Sequence, residues 1–157
     1  MKKILVFSDC HYDSKAVDLL MGKIDYFDYV YFCGDGIARL DLYQYAYPNK
    51  IEAVRGNCDP SFDSHPLELT TTVEGVTIFL THGHRYLVKS GLSELETQAL
   101  KHNASLVIYG HTHIQSKTEK DGIIYLNPGC SGSLNGIEYA EIWVSEKNIQ
   151  IMLRKLY

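Results

Sequence analysis

The sequence has no excess of positive charge and no block of like charge. Its 15 lysines and arginines stand against 19 aspartates and glutamates, a formal net charge of −4. That balance disfavours a general polyanion binder, which carries a basic excess, so long nucleic acid is not an expected partner. It also disfavours a charged disordered tail. A small anionic substrate stays open, because a bound metal reverses the sign locally. Long apolar runs are missing too. Met1-Lys2-Lys3 looks like the opening of a signal peptide, but the run Ile4-Leu5-Val6-Phe7 stops at Ser8-Asp9-Cys10-His11. So short a run excludes a signal core or a membrane helix, and no membrane partner is expected. Cys10, Cys33, Cys58 and Cys130 form no CxxC pair. A disulfide framework is not expected, and reduced thiols in a cytoplasm are. There is no repeat, low-complexity segment or linker. With 157 residues and 45% apolar content, one domain spanning 1–157 with a sizeable core is expected.

What is present alternates between strand and helix patterns. Residues 3–7 are apolar and branched, and read as a buried strand. Asp13 or Ser14 can cap a helix whose apolar face is Val17, Leu20, Met21 and Ile24. Residues 29–32 read as a second strand and 51–54 as a third. Between them, 37–47 form a weaker helix that ends before Pro48. In the second half, 67–73 and 76–80 flank Glu74-Gly75 as a hairpin. Ser93 and Glu96 fit a capping box on a helix bearing Leu92, Leu95, Ala99 and Leu100, with Asn103 as its C-terminal cap. Residues 106–109 read as a buried strand, and 114–120 pairs with 123–126 around Asp121-Gly122. Residues 137–144 and 148–153 form a last hairpin with Ile149, Ile151 and Leu153 on one face. The order is βαβαβ followed by mostly antiparallel strands, which makes a mixed-sheet α/β fold.

Five polar clusters each follow an apolar strand: Ser8-Asp9-Cys10-His11, Gly34-Asp35-Gly36, Arg55-Gly56-Asn57-Cys58-Asp59, Thr81-His82-Gly83-His84 and Gly110-His111-Thr112-His113. Ligands of α/β sheets bind at such strand ends. Asp9 and His11 lie two apart, as do His111 and His113. If the extended backbone persists, each pair leaves one face and converges. Asp35 can bridge two metals with its two oxygens, Asn57 offers an amide oxygen, and His82 adds an imidazole. Imidazole and carboxylate without thiolate suit manganese, iron, zinc or nickel. Seven donors with one bridging are too many for one ion and right for two, the usual device of phosphoryl hydrolysis. Each cluster alone reads as a turn or a core histidine; the set in this order does not. His65 and His102 fall outside the clusters and are expected on the surface.

The order D-x-H, G-D, G-N-x-D, T-H-G-H, G-H-T-H resembles the calcineurin-like metallophosphoesterases, in particular their small bacterial and archaeal phosphodiesterases. Those share Gly56-Asn57-Cys58-Asp59 and have Asn-Pro-Gly-Ser where this chain has Asn127-Pro128-Gly129-Cys130. The resemblance runs from Lys2 to about Ser131. It implies a four-layer αββα sandwich, two mixed β-sheets flanked by helices, with two divalent transition-metal ions between the sheets. Manganese is the first expectation, with nickel, iron or zinc behind it. It implies that Asp9, His11 and His113 hold one ion, that Asn57, His82 and His111 hold the other, and that Asp35 touches both. A hydroxide between the ions would attack a small phosphodiester, of which a nucleotide is one candidate. Asn57 thereby belongs to the catalytic set. Arg55 is placed either to contact a phosphate oxygen or to make a surface salt bridge. His84 either gives a proton to the leaving group or orients a metal ligand.

One departure matters. The protein phosphatases and nucleases of that family have a histidine where this chain has Cys58. A neutral thiol is a poor acid for a departing alcohol, which favours activated diesters. The alternatives are a nuclease or phosphomonoesterase on the same site, and a non-catalytic metal-binding scaffold resembling the retromer subunit. The apolar Ile37, Leu40 and Leu42 and the run Tyr43-Tyr45-Tyr47 serve either the core or a homodimer.

Overall fold

Side-chain alternation along short strands sorts the core into three layers. In β1 (Lys2–Phe7), Ile4 and Val6 face one side, Leu5 and Phe7 the other, and all four are buried. In β2 (Tyr29–Phe32), Val30 and Phe32 join Leu5 and Phe7, and Tyr31 joins Ile4 and Val6. In the second sheet, Ile78 and Leu80 face the same middle layer while Phe79 faces outward. Burial on both faces is why these strands read as continuous apolar runs. Each fully buried side chain of this kind contributes about 1.5–3 kcal/mol of transfer free energy.

The computed structural model describes residues 1–132, 134 and 136–157. Besides β1 and β2, the first sheet contains β3 (Ile51–Ala53), β9 (Ile137–Ser145) and β10 (Asn148–Leu156), in the order β10-β9-β1-β2-β3. Its β1, β2 and β3 run parallel, with β9 and β10 antiparallel at one edge. The second sheet contains β4 (Glu68–Val73), β5 (Val76–Thr81), β6 (Leu106–Ile108), β7 (Ser116–Lys120) and β8 (Ile123–Asn127), in the order β4-β5-β6-β8-β7. Of the six pairings made by β4 to β10 among the described residues, four are antiparallel, as expected, but the centre of this sheet, β5, β6 and β8, is parallel. A helical crossover joins β5 to β6, and the β7–β8 hairpin returns β8 alongside β6.

Helices cover both outer faces, so the layers are helix, sheet, sheet, helix. α1 (Ser14–Met21) is capped by the Asp13 carboxylate, which accepts from the Ala16 N–H at 3.0 Å. Its Val17, Leu20 and Met21 pack on the first sheet, and Ile24 joins them from a following 3₁₀ turn. The weaker helix splits into a 3₁₀ turn, Ile37–Leu40, and α2 (Asp41–Ala46). Ile37 and Leu40 are core; Leu42 and Tyr45 are exposed, and Tyr43 and Tyr47 lie against the core. α3 (Ser93–Lys101) covers the second sheet through Leu95 and Ala99.

Two features of α3 differ from expectation. No capping box forms: Leu92 is the cap without a side-chain bond, Ser93 is already helical, and Glu96 pairs with Lys120 at 2.9 Å. Leu100 points to solvent. The C-terminal end is as expected. Asn103 has φ +56°, its N–H meets the Leu100 carbonyl, and the Ala104 N–H meets Ala99. These are the two bonds of a Schellman end. No helix among the described residues is long and apolar enough to cross a membrane.

Candidate metal centre

The parallel strands β1, β2 and β3 of one sheet and β5 and β6 of the other deliver the five clusters to one place. The loop after β1 is laid on the loop after β2, through Asp9 N–H to the Gly34 carbonyl at 3.0 Å and His11 N–H to the Asp35 carbonyl at 2.7 Å. The sheets are tied across the site by the His111 N–H, which donates to Asp9 Oδ2 at 3.1 Å, an oxygen that also accepts from the adjacent Ser8 Oγ at 2.6 Å. The backbone does not stay extended, as the spacing argument assumed. Asp9, His11, Asp35, His111 and His113 all have φ between +51° and +71°. Convergence is achieved by left-handed turns at single residues, a conformation that L-residues enter at a cost and hold where surrounding structure fixes it.

All seven sequence-predicted donors meet here, in two clusters. On one side, His113 Nε2 is 3.3 Å from His11 Nε2 and 3.2 Å from Asp9 Oδ1. Asp9 Oδ1 is buried with no hydrogen-bond partner. On the other, His82 Nε2 lies 3.0 Å from Asn57 Oδ1 and 3.2 Å from Asp35 Oδ2. His82 Nδ1 lies 2.7 Å from the Cys33 carbonyl, so it carries the ring proton. Its Nε2 lone pair then faces two oxygens, and only a proton or a cation at that point relieves the repulsion. The groups Asp9–His11–His113, Asp35–His82–His111 and His11–Asp35–Cys58 each bring their donor atoms within 4.8 Å of one another and can hold an ion.

The electrostatics agree with this geometry. Burial would raise the Asp35 carboxyl, but His82 and the Cys58 N–H outweigh it and hold it at about 2. Burial disfavours a charged His82, yet Asp35 and Asp9 prevail and raise its pKa. His111 is pushed down to about 4 by burial and then by the charges of His82, Lys89 and His84. It is a neutral imidazole near pH 7, as a ligand must be.

Three supports of the site were not singled out from sequence. Asp59 accepts four backbone N–H bonds: Oδ2 from Asp35 and Gly56, Oδ1 from Gly36 and Ile37, all at 2.7–3.0 Å. One carboxylate thereby locks the Asp35 loop to the Asn57 loop. Its signal was its place as the last residue of Gly56-Asn57-Cys58-Asp59. Buried Asn127 donates to the Gly110 carbonyl and Thr112 Oγ1 and accepts from the Gly129 N–H, which braces the histidine loop after β6. Ser131 bonds both backbone groups of Ser8. Close approach also dictates two glycines: a Cβ at Gly56 would overlap the Asp35 carboxylate, and one at Gly110 would overlap Ser8 Oγ and Asp9 Oδ2.

His84 lies beside the cluster, its ring 5.4 Å from His82 and 6.2 Å from His111. Its Nδ1 is buried with no partner. Burial, and next the charge of His82, lower its pKa. Arg55 Nη1 donates to the Ser61 carbonyl at 3.0 Å, and its Nε is buried and unpartnered. Cys58 is exposed and reduced, and burial of its sulfur with the nearby Asp35 charge raises its pKa. His65 and His102 are only half exposed: His65 is held by Asp63 and Gln44, and His102 stacks on Phe79 at 4.6 Å.

A two-sheet sandwich with carboxylate, amide and imidazole donors at the strand ends defines a class. The chain belongs to the calcineurin-like phosphoesterase superfamily, whose sequence model matches residues 1–144. Phosphodiesterase YfcE of Escherichia coli is 36% identical over 88 residues, which cover 52% of this chain and 44% of that protein. The match thus spans less than half the length of that curated relative. A predicted phosphoesterase from Streptococcus pneumoniae has a solved structure with TM-score 0.84 and 26% identity, over 99% of this chain and 92% of the other. Vacuolar protein sorting 29 of Cryptosporidium parvum shares the fold at TM-score 0.77 and 17% identity, over 99% of this chain and 97% of the other.

Proposed function

We propose that the protein is a metal-dependent phosphodiesterase that uses two divalent ions on a small diester. Asp9, His11 and His113 hold one ion, Asn57, His82 and His111 hold the other, and Asp35 reaches both. One observation carries this reading most directly. Among the described residues, the buried side-chain polar atoms without a partner are Asp9 Oδ1, Arg55 Nε and His84 Nδ1. Native proteins leave few such atoms, and those they leave call for an explanation. Asp9 Oδ1 finds its partner in a cation. Arg55 and His84 find theirs in substrate oxygens. Asp35 belongs to two donor groups, one with His11 and one with His82 and His111, which supports the bridging role.

When bound, divalent ions lower the pKa of water toward neutrality and polarise phosphoryl oxygens. The chain supplies the rest. Asp59 and the Asn127 turn fix the donors before substrate arrives, so no reorganisation is needed at the moment of reaction. His84, whose lowered pKa favours the neutral imidazole, is the candidate to give a ring N–H hydrogen bond to the leaving-group oxygen, a role the raised Cys58 thiol fills poorly. Relatives named as phosphodiesterases support the diester over the monoester.

The test is hydrolysis of bis-p-nitrophenyl phosphate beside p-nitrophenyl phosphate by metal-stripped protein, with manganese, nickel, zinc or magnesium restored. Metal-dependent turnover with the diester ahead is expected. The fold shared with vacuolar protein sorting 29, one structure of which is a zinc complex, fits a second reading, a scaffold that binds ions without chemistry. Two bound ions with no turnover under any metal would favour that reading instead.

A further inference from the structure

We propose that a cavity beside the donor cluster is a subsite for one flat aromatic arm of the diester. This rests on the phosphodiester reading above. The cavity has a volume of about 370 Å³ and shares His11 and Asp35 with the donor groups. It continues away from them along Tyr12, Ala38, Arg39 and Pro60. A phosphate bound at the donors therefore has an open path for an ester arm in this direction.

The lining selects the chemistry of that arm. Tyr12 is exposed and lines the cavity, where its ring is free to meet an incoming arm. Ala38 and Pro60 add small apolar surface. Arg39 is fixed and its charge is balanced: Nη2 meets Asp18 Oδ2 at 2.7 Å, and Tyr43 OH holds the other Asp18 oxygen at 2.7 Å. A guanidinium held in that way presents a planar face to a π-system. Asp59 also lines the cavity, but its two oxygens are already taken by four N–H groups. With the Asp35 carboxylate committed to the ions under the reading above, no carboxylate among the described lining residues is left for a cationic arm, and Arg39 is already paired with Asp18. Flat, apolar and polarisable surfaces suit an aryl or nucleoside ring. The volume lies at the low end of ligand cavities, ~300–1,000 Å³, which suits one ring system rather than a polymer.

The experiment uses manganese-loaded protein and three diesters with poor leaving groups: dimethyl phosphate, methyl phenyl phosphate and adenosine 5′-methyl phosphate. Each carries the same phosphate charge, so the affinity ratio to dimethyl phosphate reads the arm alone. Calorimetry should give a ratio of about tenfold or more for at least one ring-bearing probe, from burial of ring surface. The probe with the larger ratio identifies the ring as aryl or nucleoside. Ala38→Trp, which fills the cavity from an exposed position, and Tyr12→Ser should each bring the ratio toward one. A ratio near one in the unaltered protein, or one that survives both substitutions, overturns the subsite. The phosphodiester reading fails separately: dimethyl phosphate would then bind equally well without metal, or not at all with it.

Discussion

At one end of the two sheets, three two-residue turns close the hairpins β4–β5, β7–β8 and β9–β10. At the other, five loops carry the donors. Both ends hold non-glycine residues at positive φ. In the turns these are Glu74 (+48°), Asp121 (+52°), Glu146 (+48°) and Lys147 (+69°); in the loops the donors Asp9, His11, Asp35, His111 and His113 have it, as does Leu87 (+52°) further along the loop after β5. The turns need this conformation because only a mirror-image turn matches the twist of the strands it joins. Any residue that tolerates it will serve, and Gly75 and Gly122 share two of the three turns. The loops need it to aim a donor atom, so glycine would relieve the backbone and delete the chemistry. The same conformation is thus a means of chain reversal at one end and of side-chain direction at the other.

The sharpest way to break that comparison is Asp35→Asn. The amide keeps the size of the side chain and can still accept from the Cys58 N–H, but it loses the charge that serves both clusters. We expect a fall in diester turnover on the order of 10³-fold, more than for any other single donor change. Retention of most activity would remove the bridging role. Next is Asp59→Ala, which leaves every donor in place and deletes four bonds to the backbone. A loss of about 3 kcal/mol of stability is expected by denaturant melting, with ion affinity down by roughly 10–100-fold. Unchanged affinity in a folded variant would mean that the loops hold their left-handed residues without Asp59.

The metal-free protein should also differ from the loaded one in its response to pH. Asp35 is held at about 2, below its ordinary 3.8, so its contribution is present above about pH 4 and lost as pH falls toward 2. His82 is raised above its ordinary 6.5, so its contribution is full below that value and lost as pH rises through the folded one. On these two groups alone the metal-free protein is most stable between about pH 4 and 6.5, and the lowered His111 and His84, which resist protonation in the folded state, draw that optimum toward its upper end. An ion takes the place of the His82 proton, so loaded protein should gain as pH rises, and metal content should fall below about pH 6.5. His111, at about 4, adds little to that competition. Melting temperatures with and without manganese from pH 4 to 8 should diverge upward. A constant gap would count against His82 as a ligand.

The sequence made the donor end more legible than its geometry. Each donor cluster follows an apolar run, and apolar runs are what a strand buried on both faces must be, so the positions of Asp9, Asp35, Asn57, His82 and His111 could be read. The left-handed turns could not, because histidine and aspartate carry no glycine-like signal for positive φ. Asp59 was hidden for a related reason: three of the four N–H groups it accepts come from residues 22–24 positions away in the chain, and no local pattern encodes that. The capping box at Ser93 was a valid local pattern that tertiary structure declined, since Glu96 found Lys120 on β7. Glu74-Gly75 and Asp121-Gly122 were legible as turns because glycine marks them.

Glu146-Lys147 carries no such mark, and it provides the smallest and cleanest test. Lys147 adopts φ +69° with a full side chain, at a turn where no donor is needed. A left-handed L-residue costs roughly 1–2 kcal/mol, while glycine gives back part of that gain through its larger unfolded-state entropy. The Lys147 stem also runs beside Gly75 of the neighbouring sheet, and the Lys147 N–H bonds to the Glu74 carbonyl. Glycine keeps that bond and loses only the stem contact. Lys147→Gly should therefore stabilise the fold by about 0.5 kcal/mol and raise the melting temperature by ~1–2 °C, with no change in ion content. A destabilised variant would mean that the contact between the two sheets at this end outweighs the backbone strain. The turn residue would then be as specific as the donors at the opposite end, and the distinction between the two ends would fall.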